Sequence, residues 1–202
     1  MLRTSFVPPR EIRELRDYTR LRSDLTEERS RYTQRLEKLL EDSLVKISSV
    51  ATGILGVSGR AMLEALIAGA RDPEVLAELA KRRLRSKNPA LPEALTGRFD
   101  AHHAELARML LDQVDALSEK IDHLTNRVDE LVANLEASRT PQHGSTGTGT
   151  ARGLSVLDRL DEIAGIGLRT AQVIVAEIGL DMAQFPSPAH LVSSAKLSPR
   201  TI

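Results

Sequence analysis

The chain of 202 residues has no cysteine and no tryptophan, and its aromatic side chains are limited to two tyrosines and three phenylalanines. Without cysteine there is neither a disulfide framework nor a thiolate metal site, which fits a reducing, cytoplasmic setting. So few aromatics exclude the stacking platforms on which single-stranded bases are held. They also leave the core to Leu, Ile, Val and Ala, which favours packed helices over sheets. No apolar run approaches the roughly 20 residues of a membrane-spanning helix. The Arg-rich start, interrupted by Pro8 and Pro9, lacks the apolar stretch of a signal peptide. Charge of one sign is missing as well: 28 Lys and Arg balance 28 Asp and Glu, so no global field draws a polyanion. The expectation is an all-α, soluble protein without membrane contact.

What is present falls into four regions. Residues 1–54 open with SFVPP and continue as REIRELRDYTRLRSDLTEERSRYTQRLEKLLEDSLVKI without Gly or Pro, which predicts one long helix with Pro9 in its first turn. Tyr18, Leu21, Leu25, Tyr32, Leu36 and Leu39 follow helical spacing, while Arg13, Arg16 and Arg20 share another face. That basic face is either a solvated, salt-bridged surface or a phosphate-contacting one. Residues 55–137 follow a break at TGILGVSG. They begin with two short helices, one starting near Ser58 and one near Asp72-Pro73, where Asp is a good N-cap and Pro a good first residue. The second is expected to end in KRRLRSK. Lys81, Arg82, Arg83, Arg85 and Lys87 there exceed what a helix dipole calls for, and they are candidates for nucleic-acid phosphate contact.

The strongest periodicity lies in residues 107–137. Leu110, Val114, Leu117, Ile121, Leu124, Val128, Leu131 and Leu135 form an unbroken alternation of four- and three-residue steps. With leucine at d and mostly β-branched residues at a, this seam suits a two-stranded parallel coiled coil, and hence a homo-oligomer. A long helix in an intramolecular bundle is the other reading. The flanking positions, Lys120 with Thr125 and Arg127 with Val132, offer no opposite charges to fix orientation.

Residues 138–153 are rich in Gly, Ser and Thr and read as a flexible linker. Residues 154–202 then form a small module around LDEIAGIGLRTAQVIVAEIG. Val156, Leu160 and Ile163 suggest a first short helix. Ala171, Ile174, Val175 and Ile178 suggest the buried stripe of a second. Between them, Gly165 and Gly167 allow backbone shapes closed to other residues and leave amides unshielded at a helix N-terminus, an end that attracts phosphate. The pattern is similar to the helix-hairpin-helix motif, which grips a nucleic-acid backbone without reading its sequence. Gly165, Ile166, Gly167 and Arg169 are the candidate contacts; a turn needed only for helix packing is the alternative.

Three stretches, SFVPPREIRELRDYTRLRSDLTEERSRYTQRLEKLLED, GRFDAHHAELARMLLDQVDAL and LDEIAGIGLRTAQVIVAEIGLDMAQFPSPAHLVSSAKLSPRTI, occur in an order that resembles the middle and early C-terminal part of transposases of the insertion-sequence one-ten family. The resemblance implies DNA as partner, and for some members a structured guide RNA. It also implies an N-terminal RuvC-like domain with four carboxylates that would use Mg²⁺, a helical assembly region, and a C-terminal domain with a nucleophilic serine. The carboxylates precede the region of resemblance, and the serine follows the motif resembling LSPRTI. The resemblance therefore implies a truncated transposase that keeps assembly and nucleic-acid-binding parts, with no catalytic residue of its own.

Other chemistry finds no pattern. His102, His103, His123, His143 and His190 lack metal-ligand spacing, since neighbours on a helix point apart, so no metal and no cofactor are expected in this chain. Two functions remain in competition: a transposase part that binds nucleic acid, and a structural coiled-coil protein that binds none.

Overall fold

A computed structural model describes residues 8–50, 53–81, 91–139 and 155–194, and among them every regular element is helical. The helices are α1 (Arg10–Asp42), α2 (Ile47–Val50), α3 (Val57–Ile67), α4 (Pro73–Glu78), α5 (Leu91–Leu95), α6 (Ala101–Arg139), α7 (Val156–Asp161), α8 (Leu168–Ile178) and α9 (Pro188–Ser194), with a 3-10 turn at Met182–Gln184. No described helix is long and apolar enough to cross a membrane. The chain divides into two compact units, Leu25–Lys120 and the pair Met1–Asp24 with Ile121–Ile202, and the division falls within α1 and α6.

The Leu25–Lys120 unit is built on one apolar cluster. Leu36 and Leu40 of α1, Met62, Leu63 and Leu66 of α3, Leu76 of α4, Leu91 and Leu95 of α5 and Leu111 of α6 are buried together with Phe99. Ion pairing ties α3 to α6. The two terminal nitrogens of Arg60 hold both oxygens of Asp115 at 2.7 and 2.6 Å, while Arg108 reaches Glu64 at 2.6 Å. The Arg60 fork is chiefly what holds the Asp115 carboxyl below its ordinary range.

α1 stops at Asp42, short of the expected continuation through Ile47, although no Gly or Pro intervenes. Ser43 turns its hydroxyl onto the Leu40 carbonyl (2.8 Å), and Leu44 takes the left-handed conformation with φ 66°. Such a conformation costs a leucine about 1 kcal/mol or more. It is closed locally by the Leu44 N–H on Glu41 O (2.9 Å) and the Val45 N–H on Leu40 O (2.8 Å), and the next segment is docked from downstream: Lys46 N–H donates to Ala94 O and Arg98 N–H to Ser43 O, both at 2.7 Å. Gly97 lies so close to this turn that a Cβ would sit 2.5 Å from Ser43 O and 2.6 Å from a Val45 methyl.

α3 and α4 begin where expected, α4 with Asp72 accepting from the Glu74 N–H at 3.0 Å. α4 ends at Glu78, well before KRRLRSK, because the chain turns there and the Lys81 N–H donates to the Ser58 hydroxyl (2.9 Å). Of that basic run only Lys81 belongs to the described residues; Arg82, Arg83, Arg85 and Lys87 lie outside them.

In the other unit Leu15 of α1, Val128 and Val132 of α6, Leu157 of α7 and Ala171, Val175 and Ala176 of α8 form the core. The buried face of α1 there runs Ile12, Leu15, Thr19, Arg22, whereas Leu21, expected inside, is 48% exposed. α6 runs through Ser138 and Arg139, into the stretch expected to be linker; residues 140–153 lie outside the described ones. Along α6, Val114, Leu117, Ile121, Leu124 and Val128 are buried within the single chain, and so are Leu111, Thr125 and Val132. Leu110, Leu131 and Leu135 are half-buried. A stripe that takes in these extra positions is the broad face of a bundle helix, wider than an a/d seam.

Replacing Gly97 with Ala presses a methyl group into the Ser43 turn. It is expected to lower stability by about 2 kcal/mol in chemical denaturation, the usual size of an overpacking penalty.

Candidate nucleic-acid interface

Ser155 opens α7 with a reciprocal cap: its hydroxyl accepts from the Asp158 N–H at 3.1 Å, and the Asp158 carboxylate accepts from the Ser155 N–H at 3.2 Å. Leu157 and Leu160 face the core, while Val156 and Ile163, expected on that side, are 41% and 51% exposed. The chain then folds back through Glu162–Gly167, where the Ile166 N–H donates to Ile163 O at 2.9 Å and the Ile166 side chain packs on the core.

The two glycines differ. Gly165 has φ +90°, which favours glycine, whereas Gly167, at φ −89° and ψ 170°, has an extended backbone that any residue adopts. A Cβ on Gly167 would meet nothing within 4 Å. The absence of a side chain at Gly167 therefore leaves α8 without a side-chain cap rather than relieving strain. The first bond of the α8 ladder is Ala171 N–H to Gly167 O (3.0 Å), so the amides of Leu168, Arg169 and Thr170 precede it. Gly165, Gly167 and Arg169 are exposed and Ile166 is half-buried.

The opposite end of α8 is neutralised. Arg16 of α1 donates to the carbonyls of Ala176 (3.1 Å) and Glu177 (2.8 Å), in the last turn of the helix. Arg20 grips the Glu177 carboxylate with two bonds, at 2.9 and 3.0 Å, and this hydrogen bonding is the main cause that holds Glu177 below the ordinary carboxylate value. Two members of the basic face of α1 thus serve as internal partners of α8.

Between these ends a polar chain joins α1, α8 and α6, buried at Arg22 and Gln172 and exposed at Asp129. Arg22, 6% exposed, donates to Gln172 Oε1 at 2.8 Å; Gln172, 1% exposed, donates through Nε2 to Asp129 Oδ1 at 2.5 Å. Burial pulls the Arg22 guanidinium below its ordinary value, the charge of Arg169 adds to this, and Asp129 opposes both. The buried stripe of α8 is accordingly Ala171, Gln172, Val175 and Ala176, turned from the expected one, which included Ile174 and Ile178. This rotation is not legible in the sequence, because a Gln and an Arg read as surface residues.

A cavity of about 610 Å³ adjoins the start of α1 and the segment after α8, lined among others by Ile12, Arg16, Leu135, Glu177, Leu180 and Phe185. Arg16 is already committed to the α8 carbonyls, and Gln184 caps Ile178 O at 2.5 Å. The α7–α8 turn is therefore the candidate site.

These features define an all-helical protein whose C-terminal helix pair presents the bare N-terminus of one helix, with a single adjacent arginine. Residues 157–202 match the family model described as Transposase IS116/IS110/IS902 family. The match begins inside α7 and takes in the turn and α8. No curated protein and no solved structure matches the chain.

Gln172→Leu strips Arg22 of an amide acceptor while leaving the guanidinium buried. The expected cost is about 3 kcal/mol in urea denaturation, and Arg22→Met in the same chain should restore much of it, because the buried guanidinium is then removed along with its acceptor.

Proposed function

We propose that this chain is a nucleic-acid-binding and assembly part of a transposition protein, and that its C-terminal helix pair acts as a helix-hairpin-helix on a DNA backbone. The observation that carries the reading is the bare N-terminus of α8 at Gly167, exposed beside Arg169 within the very segment that matches the transposase family. Phosphate is the anion best suited to such an end, and backbone amides contact it without reading sequence. The run Lys81, Arg82, Arg83, Arg85 and Lys87 supplies most of the long-range attraction, since Arg169 sits near Asp161 and Glu162 in the sequence. The role is contact rather than strand cleavage: Glu64, Asp115 and Glu177 are paired with arginines, and Asp72 and Asp158 cap helices. DNA is the partner, and a structured guide RNA offers the same phosphate chemistry.

Binding of a short labelled duplex to the whole chain should be weak, indifferent to sequence and steeply reduced by salt. Gly167→Val adds a side chain in open space, so the fold should be unchanged by circular dichroism while affinity drops several-fold. Neutralising Lys81, Arg82, Arg83 and Arg85 should flatten the salt dependence. A folded Gly167→Val variant that binds like the parent makes the turn a packing device only. A parent that binds no duplex at low salt leaves the structural reading.

Assembly through α6 is the second part of the proposal, supported by its unbroken heptad spacing. Because the seam is buried within one chain, a second copy would engage it by exchanging helices. Sedimentation at high micromolar concentration is expected to show a mass above that of one chain. The mass of a single chain would make α6 an internal bundle helix and nothing more.

A further inference from the structure

The segment Phe99–His103, which leads into α6, places two histidines against one carboxylate. Adjacent helical residues ordinarily point apart, and on that ground the sequence promised no ligand set. In the first turn two neighbours can still reach one point, because helical side chains tilt toward the N-terminus and the residue that precedes the helix lies over that turn. Asp100 occupies that position: its carbonyl accepts from Ala104 N–H at 3.0 Å, and its carboxylate faces the His103 N–H at 3.4 Å. The His102 and His103 Nδ1 atoms both lie 2.6 Å from the same oxygen, Asp100 Oδ1. The two rings lie 3.9 Å apart, and His103 stacks on the buried Phe99 at 5.7 Å.

A distance of 2.6 Å is shorter than an ordinary N–H···O bond, which falls at about 2.7–3.2 Å, and here two nitrogens share one acceptor. The three donor atoms lie within 4.8 Å of one another. A tetrahedral ion with bonds of about 2.0–2.1 Å sets its donors about 3.3 Å apart, so each histidine–carboxylate distance opens by about 0.7 Å on binding. The geometry points to a divalent transition-metal site formed by Asp100, His102 and His103. Two imidazoles and one carboxylate suit zinc, cobalt or nickel rather than magnesium or calcium, which take oxygen donors. The backing is rigid on one side, where His103 is only 14% exposed and Phe99 belongs to the core. It is open on the other, where the His102 side chain is 65% exposed, leaving outer coordination positions to water. Such an ion would clip the first turn of α6 to the loop before it.

The test is calorimetric titration of the whole, tag-free chain with ZnCl₂, together with the visible spectrum of the Co²⁺-loaded protein. One ion per chain is expected, with a tetrahedral Co²⁺ spectrum and a raised melting temperature. His102→Ala removes an exposed ligand without touching the core, and His103→Gln keeps a residue able to complete the reciprocal cap with Asp100. Each should weaken zinc binding more than tenfold, while His123→Ala, on the exposed surface of α6, should leave it unchanged. The site is disproved if zinc fails to bind at millimolar concentration, or if His102→Ala and His103→Gln bind it as the parent does.

Discussion

A guanidinium buried among helices has to be answered by acceptors, and in the unit that carries the candidate interface Arg22 sets that requirement. Its partner Gln172 must sit on the inner face of α8, which fixes the rotation of that helix, and Gln172 in turn reaches Asp129 on α6. Ala171, Val175 and Ala176 are drawn inward with it, and Leu168 and Arg169 are turned outward. Removing a buried acceptor costs more than a hydrogen bond contributes, so the rotation is protected by the penalty for breaking it. The exposed end of α8 is thus held in place from inside the core.

A chain with no net charge still has strong local fields, and these are spent mainly in holding its helices together. Arg60, Arg108, Arg16 and Arg20 are all engaged with acids or carbonyls of other helices. Such partly exposed pairs stabilise little by themselves, but they fix which helices meet and in which register.

The helical class, the starts of α3 and α4 and the turn at Gly165 were legible in the sequence, because each depends on local chemistry: composition, an Asp-Pro cap, a glycine at positive φ. The inner faces of α1 and α8 were not. They are set by Thr19, Arg22 and Gln172, polar residues whose burial depends on partners far away in the chain. Gly167 was misread for the opposite reason, since the letter suggests strain where the backbone has none. The closeness of the two histidines escaped because their common partner, Asp100, lies before the helix and over its first turn.

The end of α1 is also decided at a distance. No Gly or Pro lies between Ser43 and Ile47, and the left-handed Leu44, closed locally by its own N–H on Glu41 O and the Val45 N–H on Leu40 O, is further held by contacts from Ala94, Gly97 and Arg98. A peptide of the first fifty or so residues alone would lack those contacts and have reason to stay helical past Asp42. During synthesis the same region emerges before its stop signal does. The bend at Leu44 thus has its full set of partners only after the chain through Arg98 has been added.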